Sequence, residues 1–173
     1  NVVSTSEMAL ALLLAAAKHV PELDRRIRTG NWRWDDNTHP TDTLPGKTAV
    51  ILGYGSIGRY LAPILQALGM NVIGVRRHEP SSATVPSATG QNVRVVSVAH
   101  LRDVLPQADV LISLLPHTRE TEGLMNAELL ALLPAHCILV NVGRGAVFEE
   151  EALYNLLRER RIRAAGIDVW YVY

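Results

Sequence analysis

Gly53-Tyr54-Gly55-Ser56-Ile57-Gly58 carries the pattern G-x-G-x-x-G, and the chemistry that pattern serves is anion binding. Gly53 permits a tight turn, Gly55 lets the backbone approach a pyrophosphate, and Gly58 lets a helix pack closely on a strand. The free amides of a following helix, beginning near Ser56 and Ile57, would add the positive end of its dipole. The pattern alone also fits an ordinary βα turn of another α/β domain. The apolar run before it and the helical spacing after it favour a dinucleotide.

About 20 residues past the glycines, such units usually place a carboxylate for the ribose 2′-hydroxyl. Here that place holds Arg76 and Arg77, then His78, with no carboxylate before Glu79. Guanidinium forks suit a 2′-phosphate dianion, so NADP is expected in preference to NAD. If Arg76 instead stacks on adenine and Arg77 is solvated, the two cofactors become nearly equal.

Two more residues end apolar runs. Arg144 sits between Gly143 and Gly145, which leaves its guanidinium unshielded. By spacing alone it is equally a cleft-facing cation or a solvated turn residue. Asp168 either caps a loop or helix or accepts a bond from a carboxamide. The segments Leu115–Thr121, Asn141–Gly145 and Asp168–Trp170 would all leave the carboxyl ends of strands, where an open α/β sheet holds its ligands.

The elements that position these residues follow from periodicity. Ala49–Leu52 is apolar throughout, as a strand buried on both faces must be. Ile57, Leu61, Ile64, Leu65 and Leu68 recur at helical spacing until Gly69. Further strands are expected at Asn71–Val75, Val93–Val96, Val110–Leu115, Cys137–Val140 and Ala164–Val169. Short helices are expected over 98–105, from the cap Asn126 through Leu133, and from Glu149–Glu151 to Arg158–Arg161. Upstream, a capping box from Ser4 to Glu7 opens an Ala/Leu-rich helix to about His19, and Pro21 starts a charged helix that Gly30 ends. Trp32 and Trp34 are expected to pack over that helix pair. Ser81–Gly90 is small, polar and proline-bearing, and is expected as a mobile surface loop. Strands alternating with helices predict a Rossmann-type, doubly wound parallel sheet in three α/β/α layers. Residues 1–46 would form N-terminal interdomain or dimerisation helices with a linker, and 47–173 the core.

The 173 residues balance 17 basic against 17 acidic side chains, which gives no basis for broad binding to nucleic acid or membrane. The longest apolar stretch, Met8–Ala17, falls short of the ~20 residues that span a bilayer. Cys137 is the only cysteine, which excludes an internal disulfide and fits a reducing, cytoplasmic setting. Lacking an initial Met and stopping after an apolar strand, the chain is expected to be part of a longer protein.

The sequence resembles the D-isomer-specific 2-hydroxyacid dehydrogenases, in particular their nucleotide-binding domain. The likeness runs from about Ser4 to Trp170. It is carried by the Ser-Glu-Met-Ala-Leu-Ala-Leu-Leu-Leu helix, Gly-Asn-Trp at 30–32, the glycine turn, Gly69-Met70, Leu-Pro-His-Thr-Arg-Glu-Thr, Asn-Val-Gly-Arg-Gly and Gly-Ile-Asp-Val-Trp. The resemblance implies that Arg144 is the catalytic arginine, binding the carboxylate and carbonyl of a small 2-oxo acid. It implies that Asp168 holds the nicotinamide carboxamide. Leu115, Pro116 and Thr121 would line the cofactor, and Val142 and Gly143 would flank the nicotinamide ribose. Arg76 falls where NAD-using members carry Asp.

The departures are equally specific. The family's acid/base histidine, polarised by a glutamate, lies in a downstream Pro-His segment. Pro116-His117 is not that segment, and His117 is given no catalytic role. The other five histidines lack a partner pattern, and no metal site is expected. The resemblance places Tyr173 where the glutamate would be, and implies a substrate domain built from segments outside this sequence. The expected parent is a glyoxylate- or hydroxypyruvate-reductase-like enzyme. Alternatives are a formate- or phosphite-oxidising relative, or a nucleotide-sensing corepressor on the same fold. The apolar first helix further predicts a homodimer, with burial against the chain's own sheet as the alternative.

Overall fold

The structure is a computed structural model that describes residues 1–33, 41–78, 84–87, 89, 90 and 92–171. Among these, seven strands form one sheet: β1 (Thr48–Leu52), β2 (Asn71–Arg76), β3 (Thr84–Pro86), β4 (Asn92–Ser97), β5 (Val110–Ser113), β6 (Ile138–Asn141) and β7 (Ala164–Ile167). Their order is β3-β4-β2-β1-β5-β6-β7. The helices are α1 (Val2–Ala17), α2 (Val20–Arg28), α3 (Ser56–Ala67), α4 (Leu101–Val104), α5 (Ala127–Leu130) and α6 (Glu150–Arg158).

Alternation along each strand splits the core into two layers. Ala49 and Ile51 of β1 face α1 and α3, where Leu13, Leu61, Leu65, Ile112 and Val140 are buried with them. Val50 and Leu52 face the other way, toward Leu101, Val104, Leu111, Leu139, Phe148 and Leu153. The expected three-layer arrangement is therefore present. β1 pairs in parallel with β2 on one side and β5 on the other, so the strand order reverses there. That reversal opens the crevice in which such sheets bind ligands.

Several local expectations change. The Ser4–Glu7 capping box does not form: the helix begins earlier, and Asn1 is its cap, accepting from the Ser4 amide at 3.4 Å. Ser4 and Glu7 thus lie inside α1, which ends at Ala17, before His19. Trp32 is 78% exposed and does not pack over the helices. Trp34 and Tyr173 lie outside the described residues. Within the expected loop at Ser81–Gly90, Thr84–Pro86 instead forms β3, antiparallel to β4 with Val85 opposite Val93. Val85 packs against the buried cluster, which gives this edge its reason to order. β5 and β7 each stop two residues early, at Ser113 and Ile167, as the chain bends into the loops of the crevice. The helix capped by Asn126 is shorter than expected. Beyond Leu130 its bonds tighten to three-residue spacing, Leu132 N to Leu129 O and Leu133 N to Leu130 O, before Pro134.

α1 lies across α3, β6 and β7 and buries Ala9, Leu13 and Ala17. A Cβ on Gly166 of β7 would come within 2.8 Å of the Leu12 Cβ, so only glycine admits the helix this closely. No single described helix is long and apolar enough to cross a membrane. Cys137 is buried at the start of β6, and burial pushes its thiol up to about 12, so it stays protonated and unreactive at neutral pH.

Candidate cofactor and substrate site

The glycine turn joins β1 to α3. The Gly53 and Tyr54 amides both donate to the Val75 carbonyl, at 3.0 and 2.8 Å, which pins the turn across the end of β2. Gly53 has φ +103°, and a Cβ there would also press on the Leu114–Leu115 backbone at 3.2 Å. A Cβ on Gly58 would meet the Gly53 carbonyl oxygen and the Ile51 Cγ2 at 3.2 Å, which is the close helix–strand contact expected of this position. Around Gly55, by contrast, a Cβ would meet nothing within 4 Å. Its face opens on the groove and leaves room for a ligand to reach the start of α3. Tyr54 closes the turn from beneath. Its ring lies over Gly74 of β2, burial raises its phenol above the ordinary range, and its buried hydroxyl has no hydrogen-bond partner among the described residues.

Two adjoining cavities of about 280 Å³ each run along the crevice and share Arg76, Arg77, Leu115 and Pro116. One is floored by the glycine turn from Gly53 to Ile57. The other is walled by Leu52, Val75, Val98 and Leu124, an apolar slot suited to a flat heterocycle, with Thr118, Glu120 and Thr121 at its edge. A glycine-turn cradle beside an apolar slot, with two arginines shared between them, fits a dinucleotide. Arg76 Nε donates to the His78 carbonyl at 3.1 Å. Arg77 Nη2 lies 3.6 Å from Glu120 Oε2. The Glu120 carboxyl is held below the usual carboxylate range by a hydrogen bond with the Thr118 side chain first, then by its own backbone amide and by Arg77.

The loop after β5 is stapled by Thr121, whose hydroxyl donates to the Pro116 carbonyl at 2.6 Å and accepts from the Thr118 amide at 2.8 Å. His117 in that loop faces Glu122 at 3.4 Å on the surface. After β6, buried Asn141 shapes the next loop. Its Oδ1 accepts from the Gly143 amide at 3.2 Å and its Nδ2 donates to the Arg144 carbonyl at 3.1 Å. Arg144 is extended (φ −147°, ψ 143°) and exposed, with Nη1 donating to the Gly143 carbonyl at 2.7 Å. Val142 is turned into the core and offers the groove only its backbone.

The loops interlock because of their glycines. A Cβ on Gly143 would sit 2.5 Å from the Leu115 oxygen, and one on Gly145 would sit 2.7 Å from the Trp170 oxygen. Asp168, exposed just beyond β7, donates its amide to the Asn141 carbonyl at 3.0 Å. The ends of β1, β5, β6 and β7 therefore meet at one edge, and the residues singled out from sequence gather there. Sequence reasoning places Asn141 and Glu120 within ligand-facing loops and Tyr54 within the glycine turn, but gives none of the three a role of its own. A polar side chain ending the apolar run Ile138–Val140 was the available sign for Asn141. Nothing local marked the contact of Glu120, whose partner Arg77 lies just past the end of β2.

A sheet reversing at β1, a glycine turn opening a helix and arginines ending β2 together define a Rossmann-type dinucleotide-binding domain. Residues 10–172 match the family model of the D-isomer specific 2-hydroxyacid dehydrogenase, NAD binding domain. The chain belongs to that family, and its cofactor class is a nicotinamide dinucleotide. Glyoxylate reductase of Aeropyrum pernix is 39% identical over 172 residues, which cover 96% of this chain and 49% of the relative. D-Lactate dehydrogenase from Aquifex aeolicus, solved with NAD and lactic acid, superposes with a TM-score of 0.85 at 25% identity, covering 99% of this chain and 49% of the other. A D-isomer specific 2-hydroxyacid dehydrogenase from Xanthobacter autotrophicus, solved with NADPH and MES, gives 0.78 at 31% identity, covering 98% and 67%. The chain spans between 30% and 49% of the length of the curated relatives it matches.

Proposed function

We propose that this domain serves a longer protein that passes hydride between NADPH, in preference to NADH, and a small 2-oxo acid. The observation that carries this reading is Arg144, held at the end of β6 by buried Asn141 and flanked by two closely packed glycines. Its fork presents two parallel donors to a carboxylate and a positive charge to the carbonyl oxygen, where negative charge develops as hydride arrives. The bound nicotinamide supplies that hydride. Asp168 accepts from the carboxamide, Leu115 and Pro116 wall the groove, and the Val142–Gly143 backbone flanks the nicotinamide ribose. Thr121 keeps the Pro116 loop in place. The proton comes from a histidine outside this sequence, as the family resemblance implies.

Preference for NADPH is supported by Arg76 and Arg77 at the end of β2, both of which line the groove beside the glycine turn. The test is made on the full-length protein. It should oxidise NADPH with glyoxylate and not reduce NADP with formate, whereas the isolated domain should bind nucleotide and turn nothing over. Arg76→Ala should weaken NADPH about tenfold and NADH less than about twofold, a loss of one charge-assisted contact. Equal wild-type affinity for the two nucleotides would end the NADP preference. Peptide binding without dehydrogenase activity would favour a corepressor instead.

We further propose that α1 and α2 connect to the substrate domain and form a two-fold interface in a homodimer of a reducing, cytoplasmic compartment. Support comes from Val3 and Met8, 45% and 40% exposed on a helix that is apolar nearly all round. Sedimentation at micromolar concentration should show a dimer; a monomer alone would count against it.

A further inference from the structure

A ribose 2′-hydroxyl needs an acceptor, and among the described residues the end of β2 offers the side chains of Arg76, Arg77 and His78. A carboxylate reaches this point from another loop. Glu120 Oε2 stands 3.6 Å from Arg77 Nη2, and both side chains line the apolar slot. Glu120 sits near Thr118, whose side chain lowers its carboxyl pKa, on a loop that Thr121 ties to the Pro116 carbonyl. Its lowered carboxyl pKa keeps it ionised throughout the neutral range.

We infer that Glu120, acting with Arg77, sets the balance between the two nucleotides: its carboxylate accepts from the 2′-hydroxyl of NAD and opposes the 2′-phosphate of NADP. This rests on the reading that the groove holds a nicotinamide dinucleotide with its adenosine end at the two arginines. Arg77 is shared between Glu120 and an incoming phosphate, so part of its attraction is already committed. A 2′-phosphate must displace that contact and lie near a like charge. A 2′-hydroxyl meets a donor and an acceptor at one spot. The arrangement keeps NAD within reach of a site whose strand end is built for NADP. Both side chains are mostly solvent-exposed, at 60% and 67%, so screening limits the size of the effect.

The experiment compares full-length wild type with Glu120→Gln, Arg77→Ala and the double variant. Affinities are measured for NADPH and NADH, and for 2′,5′-ADP against 5′-AMP, which isolate the phosphate. Glutamine keeps the size and hydrogen-bonding of residue 120 and removes its charge. Glu120→Gln should bind NADPH and 2′,5′-ADP about three- to tenfold tighter, with NADH and 5′-AMP unchanged or weaker. The gain should shrink in high salt and vanish when Arg77 is also alanine. An unchanged ratio in a protein that binds both nucleotides overturns the role of Glu120 alone, as does a parallel shift of both. Failure of the wild type to bind either nucleotide overturns the reading of the groove itself.

Discussion

Arg144→Ala in the full-length protein is expected to lower kcat/KM for a 2-oxo acid by about 10²–10³-fold, with nucleotide affinity unchanged. Arg144 is exposed and lies outside both cavities along the crevice. Its loss should therefore remove the charge offered to the substrate without disturbing the glycine turn. Arg144→Lys separates charge from shape. A single ammonium keeps attraction for the carboxylate but loses the planar fork, so it should recover only part of the rate. Steady-state kinetics beside nucleotide titration make the measurement. A kcat/KM reduced less than about tenfold by the alanine variant would remove Arg144 from the chemistry.

Gly143→Ala is the second large effect, and it acts through packing. The added methyl would sit 2.5 Å from the Leu115 oxygen and 2.8 Å from its nitrogen, both backbone atoms that cannot swing aside. Either the loop after β6 moves away from the loop after β5, or the ends of the strands themselves shift. Overpacking of this kind costs about 1–3 kcal/mol, which for a chain of this size lowers Tm by roughly 5 °C. The Asn141 bonds to the Gly143 amide and the Arg144 carbonyl tie the displacement to the residue proposed to bind substrate. Activity should therefore fall further than stability alone explains. Gly55→Ala is the control, because its Cβ meets no protein atom within 4 Å. It should leave Tm nearly unchanged while weakening nucleotide binding. Thermal melts with and without NADPH read both. A Gly143→Ala protein that melts and turns over like wild type would contradict the interlocked loops.

What could be read locally was read well, because it rests on short-range rules. Two-faced apolar runs at Ala49–Leu52 and Cys137–Val140 mark strands that must be covered on both sides, and the sheet supplies helices on both. The spacing of glycines in the first turn encodes three different close approaches, of which two are visible as would-be Cβ contacts at Gly53 and Gly58. Asn1, Ser4 and Ser6 all have the chemistry to cap α1, so local sequence does not choose among them. Burial of Ser6, Ala9 and Leu13 on one side decided which residues turn helical. The edge strand β3 was missed because its three residues carry no period of their own; Val85 orders against Val93 and the core behind it.

By itself the sequence determined the layered α/β architecture, the glycine turn between β1 and α3 and the chemical types that end each strand, since periodicity and glycine spacing act over a few residues. Only the tertiary structure decided which of those ends meet. The contact of Glu120 with Arg77, the clasp of Asn141 on the Arg144 loop and the seat of Tyr54 over Gly74 join separate strands or turns. Such pairings depend on strand order and sheet twist, which no local pattern of residues can state.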